Sequence, residues 1–409
     1  MRLLALLLAL PLALLAGGAP AAELTLSVRL APEVHLANPD SPFDAAHSII
    51  GSGRSFAVGE AVAKARGEGL TAETSLHLTG ESSTGFAGNL VVNALYYDLA
   101  WAGQHFTVGK KVINWDVGWA FRPLDVIERE DRRRFNPYSL EGVPVLAWEH
   151  FGQENAWALV WANPLAGAPG SLLRDDQAVA GRYYQRIGPL DLHVLGRFSH
   201  RDRLGAGVGL AVVVGDALEL HASAYYQHHY QKIVDSLLWN PGAVLAAHDP
   251  MVSEEHLDAV SALLGGTWSW ESGFSLLFEA FHDPSAPSAD EWKALRGLAL
   301  QQKGLLAAQV PPGAAVGNLA WGASFLNRPN LLADNLLARV SHREGELELS
   351  LDVLFAPEDR GGATSAGVSY QTGASRLEAT ARALFGPEAS AYRLAPERGI
   401  LHFSWKISL

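Results

Sequence analysis

Polar and apolar residues alternate along most of the chain. Leu24, Leu26, Val28 and Leu30 share one face of an extended segment, and Thr25, Ser27 and Arg29 the other. The pattern returns at 190–199, 218–227, 346–355 and 376–385. A period of two places successive side chains on opposite faces of a strand. Each segment approaches the roughly 9–11 residues that a tilted strand needs to cross a bilayer. These strands are long for a soluble sandwich, whose strands run to about 5–6 residues. Their polar faces also carry successive charges, as a water-filled lumen allows.

Strands are predicted near 23–31, 54–66, 68–80, 86–101, 103–115, 143–151, 153–163, 175–187, 189–201, 203–214, 216–231, 257–271 and 273–283. With the first strand running outward, the long connections 32–53, 116–142, 164–174 and 232–256 all fall on one side. The tight connections around Gly67, Gly103, Gly152, Gly188, Gly215 and Ser272 fall on the other. This sorting is the one that outer-membrane barrels show. In 284–330, Ser288 and Glu291 form a capping box, and Trp292, Leu295, Leu298 or Ala299, and Leu306 give the helix behind it an apolar stripe. Residues 315–326 look like a strand, but counting them as one makes the strand number odd. One long external loop over 284–330, carrying a short helix, restores even parity. Further strands near 331–343, 345–356, 362–373, 374–386 and 398–409 complete an all-β, antiparallel transmembrane β-barrel of about 18 strands. The alternative is about 16, if 54–66 and 68–80 are partly loop.

The first residues, MRLLALLLALPLALLAGGAPAAE, read as a secretory signal peptide over 1–21. Arg2 is the positive region, Leu3–Leu15 the apolar region, and Ala19-Pro20-Ala21 the small-x-small cleavage pattern. Residues 22–409 are then one barrel domain exported to the outer membrane. The chain has no cysteine, which excludes disulfides, thiolate metal sites and a lipid-anchored cysteine. A net charge of -12 argues against nucleic acid as a partner. Twelve tryptophans and 40 glycines suit a barrel with aromatic girdles and tight turns.

Together these features resemble a Gram-negative outer-membrane porin-like barrel. The resemblance spans the mature chain and implies passage of solute through the outer membrane. Gly109-Lys110-Lys111, Trp115-Asp116-Val117-Gly118 and Pro123-Leu124-Asp125 resemble a pattern met in porin-like and polysaccharide-export barrels, with Asp116 where a glycine is expected. The last strand, with Leu401, Phe403, Trp405, Ile407 and Leu409 alternating to the end, resembles the C-terminal strand read by the barrel-assembly machinery. Leu409 departs from the usual terminal aromatic.

The stretch 109–137 breaks the alternation. It carries Arg122, Arg129, Arg132, Arg133 and Arg134 among Asp116, Asp125, Glu128, Glu130 and Asp131, beside Trp115, Trp119, Phe121 and Phe135. Three readings stand: a constriction loop over 116–142 folded into the lumen, where fixed cations select anions; an outward patch on lipopolysaccharide phosphates; or a solvated loop with internal ion pairs. Lys110 and Lys111 are adjacent, so a regular strand cannot point both at the lumen; a bulge or a snorkelling side chain is expected. On the strands, parity turns Arg29, Arg197, Glu219, Glu346, Glu348, Asp352, Arg376, Glu378, Arg382 and Lys406 to the lumen. Pairing across strands is their alternative role.

His228, His229, His248 and His256 lack the convergent spacing of a metal site. No Gly-x-Ser-x-Gly, His-Glu-x-x-His or P-loop motif occurs, so neither catalysis nor a cofactor is expected. The expected function is a passive channel for hydrophilic solutes, with anions one option. The alternatives are an exopolysaccharide export pore, or a non-transporting adhesin or platform. Expected partners are outer-membrane lipid and lipopolysaccharide, the assembly machinery, and a small solute or polysaccharide. Oligomeric state is open.

Overall fold

A computed structural model of the chain describes residues 23–46, 49, 55–81, 85–127, 137–164, 176–240, 242–307 and 311–409. Residues 1–21, read from the sequence as a signal peptide, lie outside them.

Eighteen strands form one antiparallel sheet that closes on itself. They are β1 (Glu23–Ala37), β2 (Phe56–Gly67), β3 (Leu70–Glu81), β4 (Gly85–Trp101), β5 (Gln104–Lys111), β6 (Val143–Phe151), β7 (Asn155–Ala162), β8 (Ala178–Ile187), β9 (Leu190–Ser199), β10 (Arg203–Val214), β11 (Leu218–Asp235), β12 (Met251–Ser269), β13 (Phe274–His282), β14 (Asp334–Glu344), β15 (Leu347–Ala356), β16 (Gly361–Thr372), β17 (Ser375–Phe385) and β18 (Glu397–Ser408). Both 56–67 and 70–81 are full strands, which decides for 18 over 16. Each strand pairs with its sequence neighbours, and β18 pairs with β1. Leu409 takes part in that closure: its N–H donates to Leu26 O at 2.8 Å, and its carbonyl accepts from Leu26 N at 3.1 Å. A closed sheet leaves no unpaired edge, the condition for a sheet in lipid.

The alternation does what period two demands. On β11, His221, Ser223, Tyr225 and Gln227 are buried towards the lumen while Leu220 faces outward, 41% exposed. Outward Trp101, Trp148, Trp268, Trp270, Phe274, Tyr370 and Trp405 ring the tight-turn end, the amphipathic belt that a membrane interface favours.

Several elements differ from expectation: β1 runs to Ala37 rather than 31, β11 to Asp235 rather than 231, and β12 begins at Met251 rather than 257. Residues 315–326 are not a strand; Pro312–Ala323 is a helix. Its Ala, Gly and Leu content reads equally well as a short buried helix, a tie that periodicity cannot break. Strand β5 stops at Lys111 rather than 115. Gly109 sits at φ +127, a conformation that only glycine takes easily, and a register shift lies nearby at Glu73/Thr74. Past that irregularity both lysines find partners: Lys110 pairs with Glu141, and Lys111 Nζ lies 3.2 Å from Asp98 Oδ1. The expected bulge is therefore spread over β3, β4 and Gly109.

At the long-loop end, helix α1 (Ala289–Leu305) and helix α2 (Pro312–Ala323) pack with a 3-10 turn at Pro42–Ala46 and the short helix α3 (Ala391–Leu394). Ser288 and Glu291 make the predicted capping box. Trp292, Leu295, Leu319, Phe43 and Phe325 form the core of this cap. It rests on Ala356, Ala363 and Leu384 of the barrel's inner face. Asn318 ties the cap to the β11–β12 connection, with Ala246 N donating to its Oδ1 at 2.8 Å and its Nδ2 donating to Ala246 O at 3.1 Å.

Candidate functional site

The connection from β5 to β6 turns into the barrel. Its first arm, 112–127, runs along the inner wall from β6 to β14. Ile113, Trp115, Leu124 and Val126 pack on Val143, Val145, Val160, Ala180 and Leu195. Ala120 and Phe121 pack on Leu263, Leu277 and Leu337, and Phe121 stacks on Phe281 at 4.7 Å.

Polar contacts hold the arm in two places. Glu279 on β13 is fully buried, and its carboxylate accepts the N–H groups of Trp119 at 2.5 Å, Ala120 at 2.9 Å and Phe121 at 3.2 Å. His221 on β11 braces that carboxylate at 3.1 Å and meets Glu219 on its other side. Three N–H groups converging on one carboxylate satisfy both the buried charge and the backbone donors of the turn. Asp116 accepts from Gly118 N and from the Ser223 hydroxyl of β11, both at 3.0 Å, and from Leu124 N. Asp125 accepts from Trp115 N at 2.7 Å and Asp116 N at 3.0 Å, closing the arm on itself. Arg122 Nε lies 2.8 Å from Asp125.

Burial dominates the acidity of both aspartates. It pushes the Asp125 carboxyl up to about 6 against the pull of the Arg122 guanidinium. It also raises Asp116, against the pull of the Leu124 and Gly118 N–H groups and the Ser223 hydroxyl. The Asp116 carboxylate adds to the rise at Asp125.

The wall is cut to receive the arm. A Cβ on Gly207 would stand 2.5 Å from Leu124 Cδ2, and one on Gly209 2.8 Å from Leu124 Cδ1. Gly118, on the arm, leaves no room for a Cβ beside Phe121 O and Leu263.

The second arm, 137–142, returns along β1–β4. Arg29 donates to Pro137 O at 2.8 Å, and Ser139 N donates to Glu60 at 2.6 Å. Tyr138 stacks on His77 at 3.8 Å, and Gly142 N donates to Asn93 O at 2.8 Å. β2 and β11 stand half the ring apart, so the two arms are fixed on opposite walls. Of the expected constriction over 116–142, both described arms lie inside the lumen.

Above the first arm, between it and the cap, lies a cavity of about 920 Å³. Trp119 lines it from the arm, Trp321 from α2, and Arg339, Asp352 and Arg382 from the wall. Arg339 stands over the Trp119 ring at 5.3 Å.

No protein-family profile matches the sequence, and no curated protein matches it either. Solved outer-membrane porins share its fold. OccAB1 of Acinetobacter baumannii aligns with TM-score 0.57 and 10% identity, over 95% of this chain and 96% of its own. OccK5 (OpdH) of Pseudomonas aeruginosa aligns with TM-score 0.54 and 9% identity, over 95% and 98%. OccAB3 of Acinetobacter baumannii follows with TM-score 0.51 and 6% identity, over 95% and 99%. The chain has the outer-membrane porin fold. Porins are channels rather than enzymes.

Within that porin fold, the residues singled out from sequence fall into groups. Arg122 and Asp125 pair inside the arm. Arg129, Arg132, Arg133 and Arg134 lie outside the described residues. Arg197 is buried in the wall, 3.0 Å from Asp202 and 3.6 Å from Asp176. Glu219 meets His221. Glu348, Asp352, Arg376 and Arg382 face the lumen on β15 and β17. Asp352 receives Arg339 at 2.9 Å, Glu348 pairs with Arg343, Arg376 lies 2.6 Å from Glu378, and Arg382 donates to Ser365 at 2.9 Å. Glu346 is a correction: it sits in the β14–β15 turn, not on the lumen wall.

Sequence reasoning missed Glu279, Glu60, Arg339 and the glycines of β10. Two signals were present. Glu279 is the only charge in the strand FSLLFEAFH, and Gly205, Gly207 and Gly209 recur on one face of RLGAGVGLAVVV.

Proposed function

We propose that this chain is a passive channel of the Gram-negative outer membrane, constricted by its β5–β6 connection. The observation that carries the reading is the pair of arms, 112–127 and 137–142, held on opposite walls of the lumen by Glu279 and Glu60. A barrel serving only as a platform for outside partners has no use for a connection anchored across its interior. Small hydrophilic solutes are the cargo. A bias towards anions is part of the proposal on the ground of sequence alone: the connection carries Arg129, Arg132, Arg133 and Arg134, and guanidinium groups keep their charge. Lipid and lipopolysaccharide surround the outward apolar band, and the last strand is the part offered to the assembly machinery.

Conductance of the purified protein in planar bilayers tests this. Discrete current steps are expected, rising in size when 116–142 is replaced by a short turn. Exchange of Arg132, Arg133 and Arg134 for glutamine is expected to move the reversal potential in a salt gradient towards cations. A barrel that passes no current at any voltage, with or without 116–142, ends the channel reading; an unmoved reversal potential ends the anion bias alone.

A further inference from the structure

The cavity above the constriction arm has a one-sided chemistry. Its roof is α2 and the turn behind it, contributing Ala320, Trp321 and Leu326 and no charge. From below it is met by the indole of Trp119, which is 38% exposed. The polar groups stand on the side, along β14–β17. There Arg339 holds Asp352 with one nitrogen 2.9 and 3.1 Å from the two carboxylate oxygens, and Arg382 donates to Ser365 at 2.9 Å beside Thr380. Small-molecule sites commonly enclose about 300–1,000 Å³, and this one falls in that range.

The charges balance. Two arginines, Arg339 and Arg382, and two acidic residues, Asp352 and Glu397, line the cavity together with one imidazole, His35. A net-neutral wall gives no ion of either sign a large advantage. It does offer guanidinium N–H donors, carboxylate acceptors and hydroxyls side by side, with the indoles of Trp119 and Trp321 in the same lining and Arg339 standing over one side of the Trp119 ring at 5.3 Å. A pyranose ring has that division: C–H faces that cover aromatic rings and a rim of hydroxyls that both donate and accept. An aryl acid or an amino acid presents one concentrated charge instead, to a wall whose charges already answer one another.

We infer that this cavity is a subsite for a neutral sugar, stacked on Trp119 and Trp321 and hydrogen-bonded by Arg339, Asp352 and Arg382. The inference rests on the channel reading for its role in transport, and on the cavity alone for binding.

Glucose and maltose added to the protein in planar bilayers give the first test, with benzoate and arginine as charged controls. Sugars are expected to interrupt the current reversibly, and the controls at equal concentration are not. Trp119→Ala and Trp321→Ala are each expected to weaken the block by about three- to ten-fold, the order one aromatic face contributes. Interruption by benzoate or arginine but not by sugar overturns the inference, as does sugar block that is the same in both variants. Should the protein pass no current, the channel reading fails, and the tryptophan fluorescence of the detergent-solubilised protein decides the subsite. A saturable change with maltose, reduced in Trp119→Ala, supports it; no change at any maltose concentration overturns it.

Discussion

At the residue scale, the seat of the inner arm depends on carboxylates held out of water. Glu279 is answered by three N–H groups and a histidine, each charge-assisted bond worth about 1.5–3 kcal/mol. Asp125 is answered less completely, by two N–H groups and Arg122, and burial lifts it to about 6 from 3.8. A carboxyl raised on folding binds its proton more tightly in the folded arm than in the unfolded chain. Its contribution therefore favours the folded arm at acid pH and is lost as pH rises through the window from 3.8 to about 6. The charge follows the same titration. Below about 6, Asp125 becomes neutral, and Arg122 loses the ion pair at 2.8 Å that balanced it. The reversal potential in a potassium chloride gradient is expected to move towards anions as pH falls from 7.5 to 5. Asp125→Asn should hold the acid value throughout while keeping an oxygen for both N–H donors. A wild-type titration that Asp125→Asn reproduces unchanged assigns the effect to other groups.

At the element scale, the fit between β10 and the arm makes a prediction that single substitutions cannot. Gly207→Ala puts a methyl where Leu124 sits, and overpacking of this kind costs about 1–3 kcal/mol. Leu124→Ala leaves a cavity at a fully buried site, at about 2–5 kcal/mol. In the double variant the new methyl enters the vacated space, so the pair should cost less than the two singles together. Thermal unfolding in detergent measures this, and strict additivity would mean that Leu124 is not seated on the glycines. Most elements were legible without the structure: β6 and β10 coincide with their predicted bounds, because alternation marks strands directly. α2 was not, since an apolar run of its length fits helix and strand alike. The seat of the arm was not legible either. Glu279 lies 158–160 positions from the N–H groups it binds, and no local pattern carries a pairing at that separation. The glycine stripe on β10 announced that something comes close to the wall, but not what.

At the scale of the whole molecule, the barrel and its cap are separable structures. Barrel integrity rests on the closed ladder, from β1 paired with β2 through to β18 paired with β1. The cap is carried mainly by one connection, between β13 and β14. The ends of that connection are already side by side: His282 pairs with Asp334, and Asp283 N donates to Ala333 O at 2.8 Å. Residues 285–331 can therefore be replaced by a two-residue Asn-Gly turn, a geometry that antiparallel neighbours accept. The excision exposes Phe43, Tyr392 and Leu394, which now pack against the removed helices. That loss falls on the external connections and leaves the strand pairings intact. The shortened chain is expected to keep the heat-dependent shift in gel mobility of a folded barrel. Its single-channel conductance should exceed that of the full chain, because α2 no longer roofs the cavity above Trp119. Its conductance should still rise further on removal of 116–142, since Glu279 and Glu60 hold the arms from walls that the excision does not touch. Equal conductance with and without the cap would place the route of the solute away from the cavity, and the constriction would then act alone.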